Sequence, residues 1–174
     1  MARIDVPQGE GTEHSRIWQL APHMGIGLRA MSKAVYEDSS LPIREREVAR
    51  MRIAQLNECN VCLNTRAASA MQQGLTDELY QQVDCYRDVA DFTPRERLAA
   101  EFAEQFAIDH TAIGEELWTR LRAEFTDVEL LELTVTIGFC VGLGRAFNVL
   151  DIARDFDVNW SREPADQSKA ASPR

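Results

Sequence analysis

Apolar residues recur along this chain at helical spacing and hardly anywhere at the two-residue period of a strand. Met24, Leu28, Met31 and Val35 follow Pro22 in steps of three and four, and Val48, Met51 and Leu56 follow Pro42 in the next segment. A third helix is predicted from about Asn60, carrying Ala67, Ala70 and Met71 and closing at Gly74. Thr76, with Asp77 and Glu78 behind it, starts a short fourth. Thr93-Pro94-Arg95-Glu96 reads as a capping box with proline in the first turn, leading into Leu98, Phe102 and Phe106. Thr126-Asp127-Val128-Glu129 is a second capping box, and Leu117, Leu121 and Phe125 mark a helix between the two, begun near Gly114. No Asn-Gly or Asp-Gly hairpin interrupts the series.

The segment after Thr126 is apolar on nearly every side, from Leu130 through Ile137 to Leu143. Such a helix is expected to be covered all round, in a core or at a subunit contact, with Gly138 and Gly142 admitting a close neighbour. The pattern therefore predicts an all-α fold in one domain over residues 14–160. Residues 1–13 and the tail 161–174 are expected to be disordered, the tail because it lacks apolar anchors.

Composition narrows the function. At 174 residues, 45% hydrophobic and 27% charged, the chain is long enough for an ordinary core. A net charge of -9 argues against nucleic acid, whose phosphates need clustered cations. Arg44, Arg46, Arg50 and Arg52 alternate with Glu45 and Glu47 and read as a solvated helix face. The N-terminus shows no apolar leader, and the run from Leu133 to Leu143 is about half of what a bilayer requires. The expected location is the cytoplasm. There Cys59, Cys62, Cys85 and Cys140 are expected to be reduced unless they are catalytic or bind metal.

Cys59-Asn60-Val61-Cys62 at a helix start is the one strong chemical feature. Free backbone N–H groups there favour thiolate, and the two-residue spacing lets the second thiol capture an oxidised first one. Zinc would need two further ligands, whereas Cys85 and Cys140 are isolated and His14, His23 and His110 are scattered, so no metal and no cofactor are expected. The alternative that both cysteines are merely small buried residues stays open. Arg66 lies four residues after Cys62, one turn along the same face if the helix continues. Glu47, twelve residues before Cys59 on the preceding helix, would face the pair if the two helices pack antiparallel. Each also has a plainer reading, Glu47 on an exposed Arg/Glu face and Arg66 beside any surface acid.

The order of Glu47, Cys59-x-x-Cys62 and a small-residue helix ending at Gly74 resembles the carboxymuconolactone decarboxylase family, most closely its alkylhydroperoxidase D-like branch. The likeness runs from about Pro42 to Leu150. Its second half, through FTPRERLAAEFAEQF to the Arg145 segment, is similar to a longer peroxidase-related subgroup with one copy of the motif. The resemblance implies an orthogonal helical bundle with extra N- and C-terminal helices, assembled as a dimer, trimer or hexamer with its site near subunit contacts. It implies a thiol peroxidase whose partners are a small peroxide and a thiol reductant, with no nucleic acid and no membrane. Carried over, Cys62 is peroxidatic, Cys59 resolving and Glu47 the proton acceptor; the residues alone do not order the two cysteines. Two positions depart from the family pattern: its usual His four residues after the second cysteine is Arg66, and Val61 stands where His or Tyr is common. Arginine stabilises a thiolate but cannot shuttle protons near neutral pH, which implies a weakened proton relay. The alternatives are a non-redox decarboxylase-like enzyme, with Glu47, His23 or His110 as its acid or base, and a helical oligomeric interaction protein.

Overall fold

The computed structural model describes residues 2–152 and the backbone of residues 160–162. Helices α1 (Glu13–Arg16), α2 (Pro22–Lys33) and α3 (Ile43–Leu56) lead to the cysteine segment. It comprises α4 (Asn60–Asn64), a three-residue strand β1 (Thr65–Ala67) and α5 (Ala68–Gln72). Then come α6 (Asp77–Gln81), α7 (Pro94–Asp109), α8 (Glu115–Glu124) and α9 (Asp127–Leu150), and β1 pairs in parallel with β2 (Trp160–Arg162). Both predicted capping boxes form: Thr93 and Thr126 accept from the N–H of Glu96 and Glu129, whose carboxylates reach back. Apart from the backbone at its start, the predicted tail lies outside the described residues.

Helix α3 is the centre of the molecule, running along α7 on one side and α9 on another. Ala49 and Ile53 enter a cluster with Leu98, Phe102, Leu121, Leu133 and Ile137, while Val48, Met51 and Ala54 enter a second with Leu75, Tyr80 and Phe92. With apolar clusters on two faces, the charged face cannot be a solvated one. Glu45, Arg46, Glu47 and Arg50 are all buried. The expectation of an exposed Arg/Glu face fails because α7, α9 and the cysteine segment surround the helix. The charges persist inside because they have partners: Arg44 pairs with Glu96, Arg95 with Glu45, Arg50 with Glu47 and Arg52 with Glu104, while Arg46 donates to the Val35 carbonyl and lies over the Tyr36 ring.

Helix α9 departs from expectation in the opposite direction. Leu130, Leu133, Ile137 and Phe147 are buried, but Val128, Leu131, Val135 and Val149 face outward on this chain. At 24 residues α9 is long and apolar enough to cross a bilayer by length and composition, beyond the short run read from the sequence. Its polar residues tie it instead to the rest of the fold. Glu132 accepts from the backbone N–H of Ser40 and Leu41 and from both serine hydroxyls at 39 and 40, and Glu129 pairs with Arg95. The residues before α1, for which the sequence predicts disorder, lie against the C-terminal end of α9: Arg3 N–H donates to the Leu150 carbonyl, and Ile4 and Val6 pack beside Phe147 and Ile152.

Candidate functional site

The cysteine turn is fixed by the end of α3. Asn57 is buried there, and its Nδ2 donates to the carbonyls of Cys140 and Val141 at 3.2 and 3.3 Å. Its Oδ1 accepts from Arg145 Nε at 3.1 Å, and its own carbonyl accepts from Asn148 at 2.8 Å. This docking needs Gly144, since a Cβ at that position would stand 2.6 Å from Asn57 Nδ2. The predicted close approach on α9 is therefore made at Gly144; a Cβ on Gly142 would meet nothing within 4 Å, and one on Gly138 only Phe106, at 3.9 Å. Glu58 then takes a left-handed conformation, φ 50°, and Cys59 caps α4. Cys59 and Cys62 are disulfide-bonded with Cα atoms 5.2 Å apart, and Cys62 N–H donates to Cys59 Sγ at 3.3 Å.

Beneath this turn lies a buried charge network. Glu47 is 1% exposed and accepts from Arg50 Nε at 3.0 Å and from the Tyr80 hydroxyl at 2.8 Å. Arg50 spends its remaining donors on the cysteine segment, bonding the Cys62 carbonyl at 2.8 Å and the Thr65 carbonyl at 3.0 Å. These are carbonyls that a helix as short as α4 leaves without partners of its own. Burial works against the Arg50 charge, but the adjoining Glu47 carboxylate more than reverses it and the pKa stands above the ordinary guanidinium value. Burial, and then the same carboxylate, raise the pKa of Tyr80.

Arg66 is not where a continuous helix would put it. The predicted helix from Asn60 to Gly74 breaks after Asn64, and the extended Thr65–Ala67 turns residue 66 off the face of Cys62. Its guanidinium pairs with Asp77 at 2.6 Å, donates to the Leu63 and Thr65 carbonyls, and lies 4.6 Å from the Tyr80 ring centroid. Arg66 thus holds the extended segment to the start of α6.

Cys62, Glu47, Arg50 and Arg66 all line one cavity of about 850 Å3, a volume suited to an organic ligand. Its other walls are mainly apolar, with Trp18, Leu28, Phe139, Leu143 and Phe147 among them. Cys59 does not line it and is 1% exposed. His23 and His110 do not line it either, which removes them as acids or bases for this cavity.

Sequence reading missed four residues here. Arg50 carried a faint signal, an acid three residues before it on the helix leading to the cysteines. Tyr36, Cys140 and His14 carried none, because each arrives from an element distant in sequence. The Tyr36 hydroxyl lies 3.8 Å from Cys140 Sγ. Burial raises both pKa values, that of Cys140 to about 11, so both groups keep their protons at neutral pH. Among the described residues no group of three His, Cys, Asp or Glu side chains is placed to hold a metal.

The chain matches the model of the carboxymuconolactone decarboxylase family over residues 22–105. It is 22% identical over 121 residues to the uncharacterized protein YdfG of Bacillus subtilis strain 168, covering 69% of this chain and 82% of that one. To the uncharacterized protein YnjA of Escherichia coli strain K12 it is 34% identical over 108 residues, covering 62% of this chain and 59% of that one. In structure it resembles an uncharacterized peroxidase-related protein of Silicibacter sp. TM1040, with a TM-score of 0.71 and 18% identity over 92% of this chain and 95% of that one. It also resembles the alkylhydroperoxidase AhpD core of an uncharacterized peroxidase-related protein from Ralstonia eutropha JMP134. There the TM-score is 0.73 and the identity 20%, over 87% and 90% of the two chains.

Proposed function

Because the chain belongs to the carboxymuconolactone decarboxylase family and carries its alkylhydroperoxidase D-like fold, we propose that it is a thiol-dependent peroxidase acting on organic hydroperoxides through Cys62 and Cys59. One observation carries this reading. The two sulfurs are within bonding distance, and only Cys62 borders the large, mainly apolar cavity. In the reduced protein the Cys62 thiolate attacks the outer peroxide oxygen, the O–O bond breaks, and the alkoxide departs and takes a proton. Cys62 becomes a sulfenic acid. Cys59 then attacks it, releasing water and forming the disulfide, which a dithiol reductant returns to two thiols. The Cys62 N–H bond to the Cys59 sulfur favours thiolate on the resolving cysteine. The cavity volume favours a hydroperoxide with a bulky apolar group over hydrogen peroxide, which would leave most of it empty.

The test is direct. Protein reduced with dithiothreitol and freed of it should form the 59–62 disulfide with cumene hydroperoxide faster than with hydrogen peroxide, seen by mass spectrometry after alkylation. A pair that stays reduced while Cys85 or Cys140 oxidises would end the peroxidase reading.

The reading includes a cytoplasmic homo-oligomer. Val128, Leu131, Val135 and Val149 lie at intervals of three, four and fourteen along the outer side of α9, an apolar stripe that a second copy would cover. Light scattering at micromolar concentration should give a mass of at least twice 19.7 kDa; a species at 19.7 kDa would refute it.

A further inference from the structure

Peroxide chemistry at Cys62 needs a proton removed from the thiol and a proton supplied to the departing alkoxide. A group that does both must exchange protons near neutral pH. The cavity wall holds few candidates. Arg29, Arg50 and Arg66 are guanidinium groups, which do not release protons. Lys33, on the exposed rim, is held charged by its bond to Asp38. The Tyr36 hydroxyl and the Cys140 thiol are kept protonated by burial. Glu47 is enclosed between Arg50 and Tyr80, and Glu37 stands out in solvent.

That leaves His14, which the N-terminal helix α1 brings to the cavity. Its ring meets Phe147 edge-on at 4.9 Å between centroids. Phe147 belongs to one apolar cluster with Cys59 and Val61, against which Cys62 packs, so the imidazole borders the cluster that holds the cysteine turn and lines the same cavity as Cys62. No hydrogen bond joins the ring to another described residue, and its helix neighbour Arg16 is turned to the carbonyls of Pro7 and Gly11. Burial lowers the His14 pKa, leaving a neutral imidazole free to accept a proton at pH 7.

Building on the peroxidase reading, we propose that His14 is the proton carrier of this site. Its ring nitrogen takes the proton from Cys62 Sγ through cavity water and returns it to the alkoxide oxygen released when the O–O bond breaks. The sum of that half-reaction is thiol plus hydroperoxide giving sulfenic acid plus alcohol, with no proton gained or lost.

Two measurements test this on the full chain. With cumene hydroperoxide, disulfide formation at pH 7 should fall about 100-fold in His14→Gln. It should stay normal in His23→Gln, whose imidazole lies outside the cavity. Free imidazole should recover part of the lost rate in His14→Ala. The second readout is the pH dependence of Cys62 alkylation by iodoacetamide in reduced protein, which should lose an inflection below 6.5 in His14→Gln. His14→Phe preserves the ring contact with Phe147 and separates folding from proton transfer through its melting temperature. An alkylation profile unchanged by His14→Gln overturns the proposal, as does a lost rate that imidazole cannot restore. Should the wild-type pair prove inert toward peroxide, the peroxidase reading falls by itself, and the alkylation profile still decides the role of His14.

Discussion

Arg50→Met is expected to cost about 3–5 kcal/mol of folding stability, because it breaks a buried ion pair and strands the partner acid. The Arg50 and Glu47 side chains are 5% and 2% exposed, so water cannot solvate the carboxylate left behind. Tyr80 would remain its one hydrogen-bond donor from the present network, and the Cys62 and Thr65 carbonyls would lose their side-chain partner as well. In a domain of this length such a loss lowers the melting temperature by roughly 10 °C. Lysine should rescue poorly, since one ammonium cannot reach the carboxylate and two carbonyls with the fork of a guanidinium. The double variant Glu47→Leu/Arg50→Met should recover a good part of the loss by removing both charges. Thermal unfolding of the four proteins under reducing conditions checks this. A single-variant loss below about 1 kcal/mol would show that the pair is solvated in solution and leave the cysteine segment held by Asn57 and Arg66.

Replacing the cysteines one at a time should separate their roles completely. Cys62→Ser is expected to bring steady-state peroxide consumption to background and to leave no sulfenic acid. The sulfur removed is the one in the cavity wall, and Cys59 is too enclosed to meet a hydroperoxide first. Cys59→Ser should also lose turnover, but each chain should consume one peroxide and hold a sulfenic acid at Cys62, trapped by dimedone and weighed by mass spectrometry. Cys140 should take no label near neutral pH in either protein, because burial keeps it a thiol up to about 11. The opposite pattern, with a trapped sulfenic acid at Cys59 in Cys62→Ser, would reverse the assignment and place the peroxide entrance elsewhere.

The helical framework was legible from the sequence because its causes are local. Thr93 and Thr126 bond to backbone and side chains three residues ahead, and apolar residues three and four apart share a face whatever surrounds the helix. The same locality placed Cys59 and Cys62 at a helix start and Glu47 on the helix before them. What covers a helix is not local. Alternating Arg and Glu on α3 would be a solvated face on an outer helix and become a buried network on the central one. The apolar residues of α9 predicted cover on all sides, yet Val128, Leu131, Val135 and Val149 on one side find none among the described residues. The break after Asn64 was hidden too, since Thr65 and Ala67 carry no helix-stopping residue type. The guanidinium of Arg50 on the Thr65 carbonyl and the Arg66–Asp77 pair accompany that extended backbone, and both partners lie eleven or more residues away. The sequence by itself determined the helices, their caps and the reactive pair. Only the tertiary structure decided which charges meet, which cysteine faces the cavity, and that His14, Tyr36 and Cys140 share its wall, because burial depends on how many elements surround a residue and not on its neighbours in the chain.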